Sequence, residues 1–203
     1  MNRAARSSPR RGGCARLASA SWSLPVTTYG AENARCVVLT FREGLLSGIA
    51  HDLLLRVTRL EVAIETAPLR VSARLDATSL RVVAAMHEGR PVPDELRAAD
   101  KAEIEATIRN VVLRADRHPE IRFESTAAVE RPDGWELVGR LTIAGATREV
   151  RLPVKREPER LVTELRLHQP DFGIRPYRAM MGALRVSADV VVRASMPTAG
   201  IAP

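Results

Sequence analysis

No stretch of this 203-residue chain approaches the 18 or more consecutive apolar residues of a membrane-crossing helix, which excludes a helical span. Cysteine is scarce. Cys14 lies in an irregular N-terminal stretch and Cys36 in a strand-like one, so two free thiols are expected rather than a structural disulfide. No Cys-x-x-Cys occurs. The four histidines, His51, His87, His118 and His168, lack the spacing of a metal site, so no metal is expected. Lysine is nearly absent too: Lys101 and Lys155 are the only two, and the other basic residues are all arginine.

The net charge of +7 would suggest nucleic acid if it were spread over a folded surface. It is not. Residues 1–31 contain Arg3, Arg6, Arg10, Arg11 and Arg16 and no acidic residue. Of the 31 basic residues, the 26 outside this stretch face 24 acidic ones, which leaves the folded part near neutral. A groove that tracks phosphates is not expected, and neither is a nucleic-acid partner.

The basic stretch invites a targeting reading. Arg10-Arg11 resembles a twin-arginine signal, and Ala18-Ser19-Ala20 resembles a cleavage site. The segment between them is too short and too polar for the apolar part of an export signal. A disordered tail in a cytoplasmic protein is expected, and an atypical export signal with a periplasmic location is the alternative. At 45% hydrophobic and 27% charged residues, the chain as a whole has the composition and length of one globular domain. The expected division is a basic tail over 1–33, one domain over 34–197 and a short tail over 198–203.

From about residue 35 the apolar residues alternate, which is the mark of half-buried strands. Val37, Leu39 and Phe41 share one face of a first strand. Leu53, Leu55 and Val57 follow, and then the parity flips to Leu60, Val62 and Ile64, which predicts a β-bulge near Thr58-Arg59. Val71, Ala73 and Leu75 lead into Leu80 and Val82 across a second change of parity. Further on, Ile121, Phe123, Ser125, Ala127 and Val129 share a face, and Arg131-Pro132-Asp133-Gly134 turns the chain. Trp135, Leu137, Gly139, Leu141 and Ile143 precede a tight turn at Ala144-Gly145-Ala146. Val150, Leu152 and Val154 come next, then Leu161, Thr163, Leu165 and Leu167. The last strand sets Leu184, Val186, Ala188, Val190, Val192 and Ala194 on one face.

A different rhythm intervenes before Pro119. Ile104, Ile108, Val111 and Val112 recur at three and four residues, and Asp100 with Glu103 has the spacing of a capping box. These predict one amphipathic helix over about 101–114, with an apolar stripe narrow enough to lie across a barrel end or flank. If 51–65 and 71–83 each count as one bent strand, there are eight. The expected fold is mainly β: an eight-stranded antiparallel β-barrel, in which closure removes exposed edges. A two-sheet sandwich gives much the same alternation.

Three segments then resemble a known family. His118-Pro119-Glu120-Ile121-Arg122-Phe123-Glu124-Ser125 is similar to the "yP-x-I-x-F-x-S" stretch of the YceI-like family. Gly139-Arg140-Leu141-Thr142-Ile143-Ala144-Gly145-Ala146-Thr147 is similar to its "G-x-L-T-I-x-G-x-T" hairpin. Asp171-Phe172-Gly173-Ile174 resembles its "dFGI" before a closing strand. With the helix before Pro119, the resemblance covers roughly 36–195. It implies a lipocalin-like barrel with a long apolar tunnel that binds polyisoprenoid chains, the tails of isoprenoid quinones included. The first half departs from the family's commonest pattern: many members begin with a His at the first strand, whereas here Ser47-Gly48-Ile49-Ala50-His51-Asp52 leads into the second.

The inward faces carry almost no chemistry. Only Ser125 and Thr163 on them are polar, so no set of carboxylates, His or Lys converges as acid–base catalysis requires, and no catalytic residue is assigned. Ala73, Ala127, Gly139, Ala188 and Ala194 are small and favour room for one ligand, although a barrel this size can also fill itself with side chains. Phe41, Leu53, Leu55, Phe123 and Leu141 are expected along the tunnel. At its mouth stand His51 and the 171–182 loop, with Phe172, Tyr177, Met180 and Met181 as an adaptable apolar gate and Arg175 and Arg178 placed for a phosphate or quinone headgroup. His51 and Asp52 are neighbours on a strand and point to opposite faces, so their side chains are not expected to pair.

Three readings follow. The first is a carrier of an apolar lipid that needs no cofactor beyond the bound isoprenoid or quinone. The second is a small barrel enzyme that uses His51, which requires His51 to face the lumen with a carboxylate in reach. The third is a dry-cored interaction module that pairs as a homodimer through its exposed faces.

Overall fold

The computed structural model describes residues 26–43, 51–179 and 184–198. Its strands are β1 (Val26–Gly30), β2 (Arg35–Glu43), β3 (Asp52–Val57), β4 (Leu60–Thr66), β5 (Leu69–Asp76), β6 (Leu80–His87) and β7 (Arg90–Val92). After one helix, α1 (Ala98–Thr107), come β8 (Glu120–Arg131), β9 (Gly134–Ile143), β10 (Ala146–Arg156), β11 (Arg160–His168), β12 (Arg178–Ala179) and β13 (Leu184–Pro197). Every pairing is antiparallel. Twelve strands form one hydrogen-bonded path, β1-β4-β5-β8-β9-β10-β11-β13-β2-β3-β6-β7, and the two-residue β12 pairs with β13 beside it.

The sheet curls into a half-barrel because its long strands bend rather than stop, and it does not close as expected: β1 and β7 end the path and are not paired with each other among the described residues. β3 runs into β4 after only Thr58-Arg59, and β5 runs into β6 through one 3-10 turn at Ala77–Ser79. The two bends lie side by side, since β4 pairs β5 as β3 pairs β6. Polar groups tie them together. Asp76 caps the Ala77–Ser79 turn through Thr78 N at 2.7 Å and accepts from Arg59 Nε at 2.8 Å. The Ser79 hydroxyl accepts from Arg59 N at 3.0 Å and donates to Asp76 O at 2.8 Å. These two breaks turn the expected eight strands into ten, and the short β1, β7 and β12 bring the number among the described residues to thirteen.

The parity flip at Thr58-Arg59 therefore marks a shared bend and not a β-bulge. True register shifts occur elsewhere: between Leu54 and Leu55 against β6, between Ser125 and Ala127, and between Val186 and Val190. The second has a consequence for the β8 face. One extra residue at Thr126 moves Ala128 onto the core and leaves Val129 42% exposed, so Ala127 and Val129 do not continue the inward face.

β1 lies inside the stretch expected to be a tail. Tyr29 is the reason, because its ring is buried against Val62, Ile64 and Leu161. Val26–Gly30 thus belong to the sheet and not to a tail. The helix also starts earlier than its spacing suggests: Arg97 is the cap, its N–H donating to the Asp100 carboxylate at 3.3 Å. After Thr107 the chain opens into a wider π-type turn over Ile108–Val112.

Beyond the bend, β6 pairs with β3 and β7 while β8 pairs with β5. α1 packs beside β6, and Ile104 and Ile108 reach the cluster around Leu55, Val57, Leu80 and Val82. The Glu105 carboxylate accepts from the Val82 N–H at 2.8 Å, a strand donor that another strand would otherwise satisfy. Part of the wall is thus helical.

Candidate functional site

The inner faces enclose a cavity of about 550 Å³. A volume of this size falls in the range of small-molecule sites, and it is not a core filled by side chains. Its wall is mainly aliphatic. Val38, Leu53, Leu55, Leu60, Val62, Val71, Ala73 and Leu75 line one side, and Leu141, Leu152, Leu165, Val190 and Val192 another. A second apolar space of about 60 Å³ adjoins it, lined by Leu137, Val154 and Trp135, and Val71, Leu152, Thr163 and Met196 border both. Arg156 lies over the Trp135 ring, its guanidinium carbon 4.5 Å from the ring centroid.

Most expected tunnel residues are there. Leu53, Leu55, Phe123, Leu141, Phe172, Tyr177 and His51 all line the cavity. Phe41 does not. β2 presents Cys36, Val38, Thr40 and Arg42 to the lumen, opposite in parity to Val37, Leu39 and Phe41. β2 begins with apolar residues on both faces, Cys36 and Val38 on one and Val37 and Leu39 on the other, so alternation alone could not choose between them. Leu39 instead packs with Leu54, Met86 and Val191 on the other face, and Phe41 is 36% exposed.

The small residues divide similarly. Ala73 and Ala194 border the cavity; Ala127, Gly139 and Ala188 do not. Ser125 turns its hydroxyl to the Val71 N–H at 2.8 Å, closing the β5–β8 ladder where the register shifts. Thr163 is a true luminal polar group, and its Oγ1 is buried without a hydrogen-bond partner among the described residues.

The lining is more polar at one end than the alternation implied. Thr40, Arg42, His51, Tyr177 and Arg185 gather there, with Glu103 and Thr107 contributed by α1. Arg185 sits opposite Glu43 on one side and Arg178 on the other. Arg175 and Arg178 are exposed and do not line the cavity, and Met180 and Met181 lie outside the described residues. Arg42 and Arg185 escaped the sequence reading because each breaks an otherwise apolar alternation at a strand end.

His51 and Asp52 do part as neighbours on a strand should. His51 faces the lumen, while the Asp52 carboxylate accepts from the Arg42 backbone N–H at 2.7 Å. Among the described residues the Glu95 carboxylate approaches His51, with Oε1 3.4 Å from Nδ1 but outside hydrogen-bonding geometry. That oxygen is engaged by His87 Nε2 at 2.8 Å. Cys36 is a free thiol deep in the wall, and burial pushes its pKa up to about 12.

This fold and cavity define an antiparallel half-barrel built around an internal apolar space. The chain belongs to the YceI-like domain family, whose model matches residues 46–197. Among solved structures it is similar to Burkholderia cenocepacia BcnA, at 12% identity with a TM-score of 0.55, over 81% of this chain and 95% of that one. It is also similar to a polyisoprenoid binding domain from Saccharophagus degradans implicated in plant cell wall breakdown, at 12% identity and a TM-score of 0.53, over 86% and 97%. At such identities the likeness is one of fold. No curated protein matches the chain. No helix among the described residues is long and apolar enough to cross a membrane.

Proposed function

We propose that this protein carries one long apolar molecule of the isoprenoid type, a polyisoprenoid or a quinone tail, inside the barrel and without catalysis. The observation that carries this reading is the cavity of about 550 Å³ with a mainly aliphatic wall. Water gains little in such a space, because it finds too few polar partners. A hydrocarbon chain gains roughly 25 cal/mol for each Å² of apolar surface it withdraws from water. Membership of the YceI-like family and the likeness to the polyisoprenoid binding domain of S. degradans support the choice of an isoprenoid. The polar end with Arg42, His51, Tyr177 and Arg185 suits a headgroup, while the aliphatic wall suits the tail.

A catalytic role for His51 has less support. His51 does face the lumen, but the Glu95 carboxylate beside it is hydrogen-bonded to His87 instead. The test is native mass spectrometry of the purified full chain, followed by organic extraction. The expected result is one apolar lipid per chain. Protein that stays free of lipid after incubation with polyprenols and with isoprenoid quinones would overturn the proposal.

A further inference from the structure

We infer that His51, His87 and Glu95 form a site for one divalent first-row metal ion of the zinc type at the rim of the barrel. The two histidines are 36 positions apart, and the sheet register brings them together. β3 pairs β6 with Asp52 opposite Met86. Continuing that antiparallel register by one residue sets His51 opposite His87, where directly facing side chains stand about 5 Å apart at Cβ. Their rings lie 6.0 Å apart between centroids, tilted by 57°. Glu95, in the segment between β7 and α1, reaches up to both.

One donor atom from each of the three lies within 4.8 Å of the other two. Around a four-coordinate zinc, with bonds near 2.0–2.1 Å, the donors stand about 3.3 Å apart, so a modest inward movement completes the set. His87 is half exposed and can make that movement, and the His51 Nδ1 is buried without a hydrogen bond, a donor atom still to be satisfied. Two imidazoles and a carboxylate suit zinc, nickel or copper and not magnesium or calcium, which prefer oxygen alone. Three protein ligands leave one position open. His51 lines the cavity and His87 is half exposed, so the three ligands stand between the lumen and solvent. The site does not depend on what the cavity carries.

The test titrates metal-free full-length protein with Co(II), and then displaces it with Zn(II). The expected result is one Co(II) per chain, with the intense visible bands of a four-coordinate ion, lost stoichiometrically to Zn(II). His51→Ala, His87→Ala and Glu95→Gln should each weaken binding at least tenfold, while His168→Ala, whose ring pairs with Asp189 elsewhere, should not. Circular dichroism of each variant without metal checks its fold. Should any variant misfold, the wild-type protein decides by NMR: Zn(II) must move the ring signals of His51 and His87 together. Absence of Co(II) binding, binding retained in the double histidine variant, or unmoved ring signals would overturn the site.

Discussion

The ring of Phe123 occupies the space that a side chain at Gly139 would need. The residues lie on adjacent strands, with Gly139 opposite Ser125, two positions along from Phe123. A Cβ at 139 would fall 2.6 Å from the Phe123 ring and 2.6 Å from the Glu124 carbonyl oxygen. The ring could shift; the carbonyl, held in the β8–β9 ladder, cannot easily do so. The glycine therefore admits an aromatic side chain, not a ligand. Gly139→Ala should cost about 1–3 kcal/mol through overpacking. A urea unfolding midpoint equal to that of the wild type would contradict this.

Ala73 borders the cavity in the middle of its wall. Ala73→Phe projects a ring into the space the carrier reading gives to the lipid. Native mass spectra should show bound lipid reduced at least fivefold, with the far-ultraviolet circular dichroism of the barrel kept. Full lipid loading by a folded variant would count against the luminal site.

A headgroup preference can be read at the polar end. Arg185 lines the cavity, and Arg175 and Arg178 stand exposed in the segment before it. Arg185→Ala should weaken retention of a diphosphate-headed polyprenol by roughly tenfold, the scale of one charge-assisted hydrogen bond, and leave a quinone unaffected. The Arg175→Ala, Arg178→Ala pair should act in the same direction and more weakly. Equal retention of both lipids by all variants would remove the arginines from the site.

Asp76 links stability to acid. Burial pulls its carboxyl upward, but the hydrogen bonds from Thr78 and Arg59 and the Arg59 charge outweigh this, and its pKa is lowered. A carboxyl lowered on folding adds stability above its unfolded pKa of about 3.9, and that stability is lost as pH falls through the folded value. The Arg59 partner is exposed, so the contribution is about 1 kcal/mol. Asp76→Asn should be less stable at pH 7, and the difference should shrink below pH 4. A constant difference between pH 7 and pH 3 in thermal melts would refute the linkage.

Cys36 should be silent toward electrophiles. With its pKa near 12, almost none of the thiol is ionised at pH 8, and the wall shields it. Peptide mapping after iodoacetamide treatment at pH 8 should find Cys36 unmodified in the native protein and alkylated in denaturant. Rapid native labelling would mean that the wall opens.

Much of the barrel was legible in the chain because period-two alternation reports burial on one face wherever the other face is polar. The inward sets of β4, β5, β9, β10 and β11 are of this kind, and they line the cavity or pack in the core as expected. Alternation failed where a strand begins with apolar residues on both faces, as β2 does, and where an added residue shifted the register without any local mark, as at Thr126 in β8. It also could not distinguish a bulge from a bend at Thr58-Arg59, since each flips parity.

The sequence by itself determined that the chain makes a mainly antiparallel β structure with aliphatic inner faces and one helix before Pro119, because those properties follow from local periodicity and turn residues. Only the tertiary structure decided that the interior is hollow, that α1 supplies part of the wall, and that His51, His87 and Glu95 meet at the rim. The reason is physical. Cavity volume depends on how curvature and side-chain size combine around a whole ring of strands, and a meeting of residues dozens of positions apart depends on cross-strand register, neither of which any local window contains.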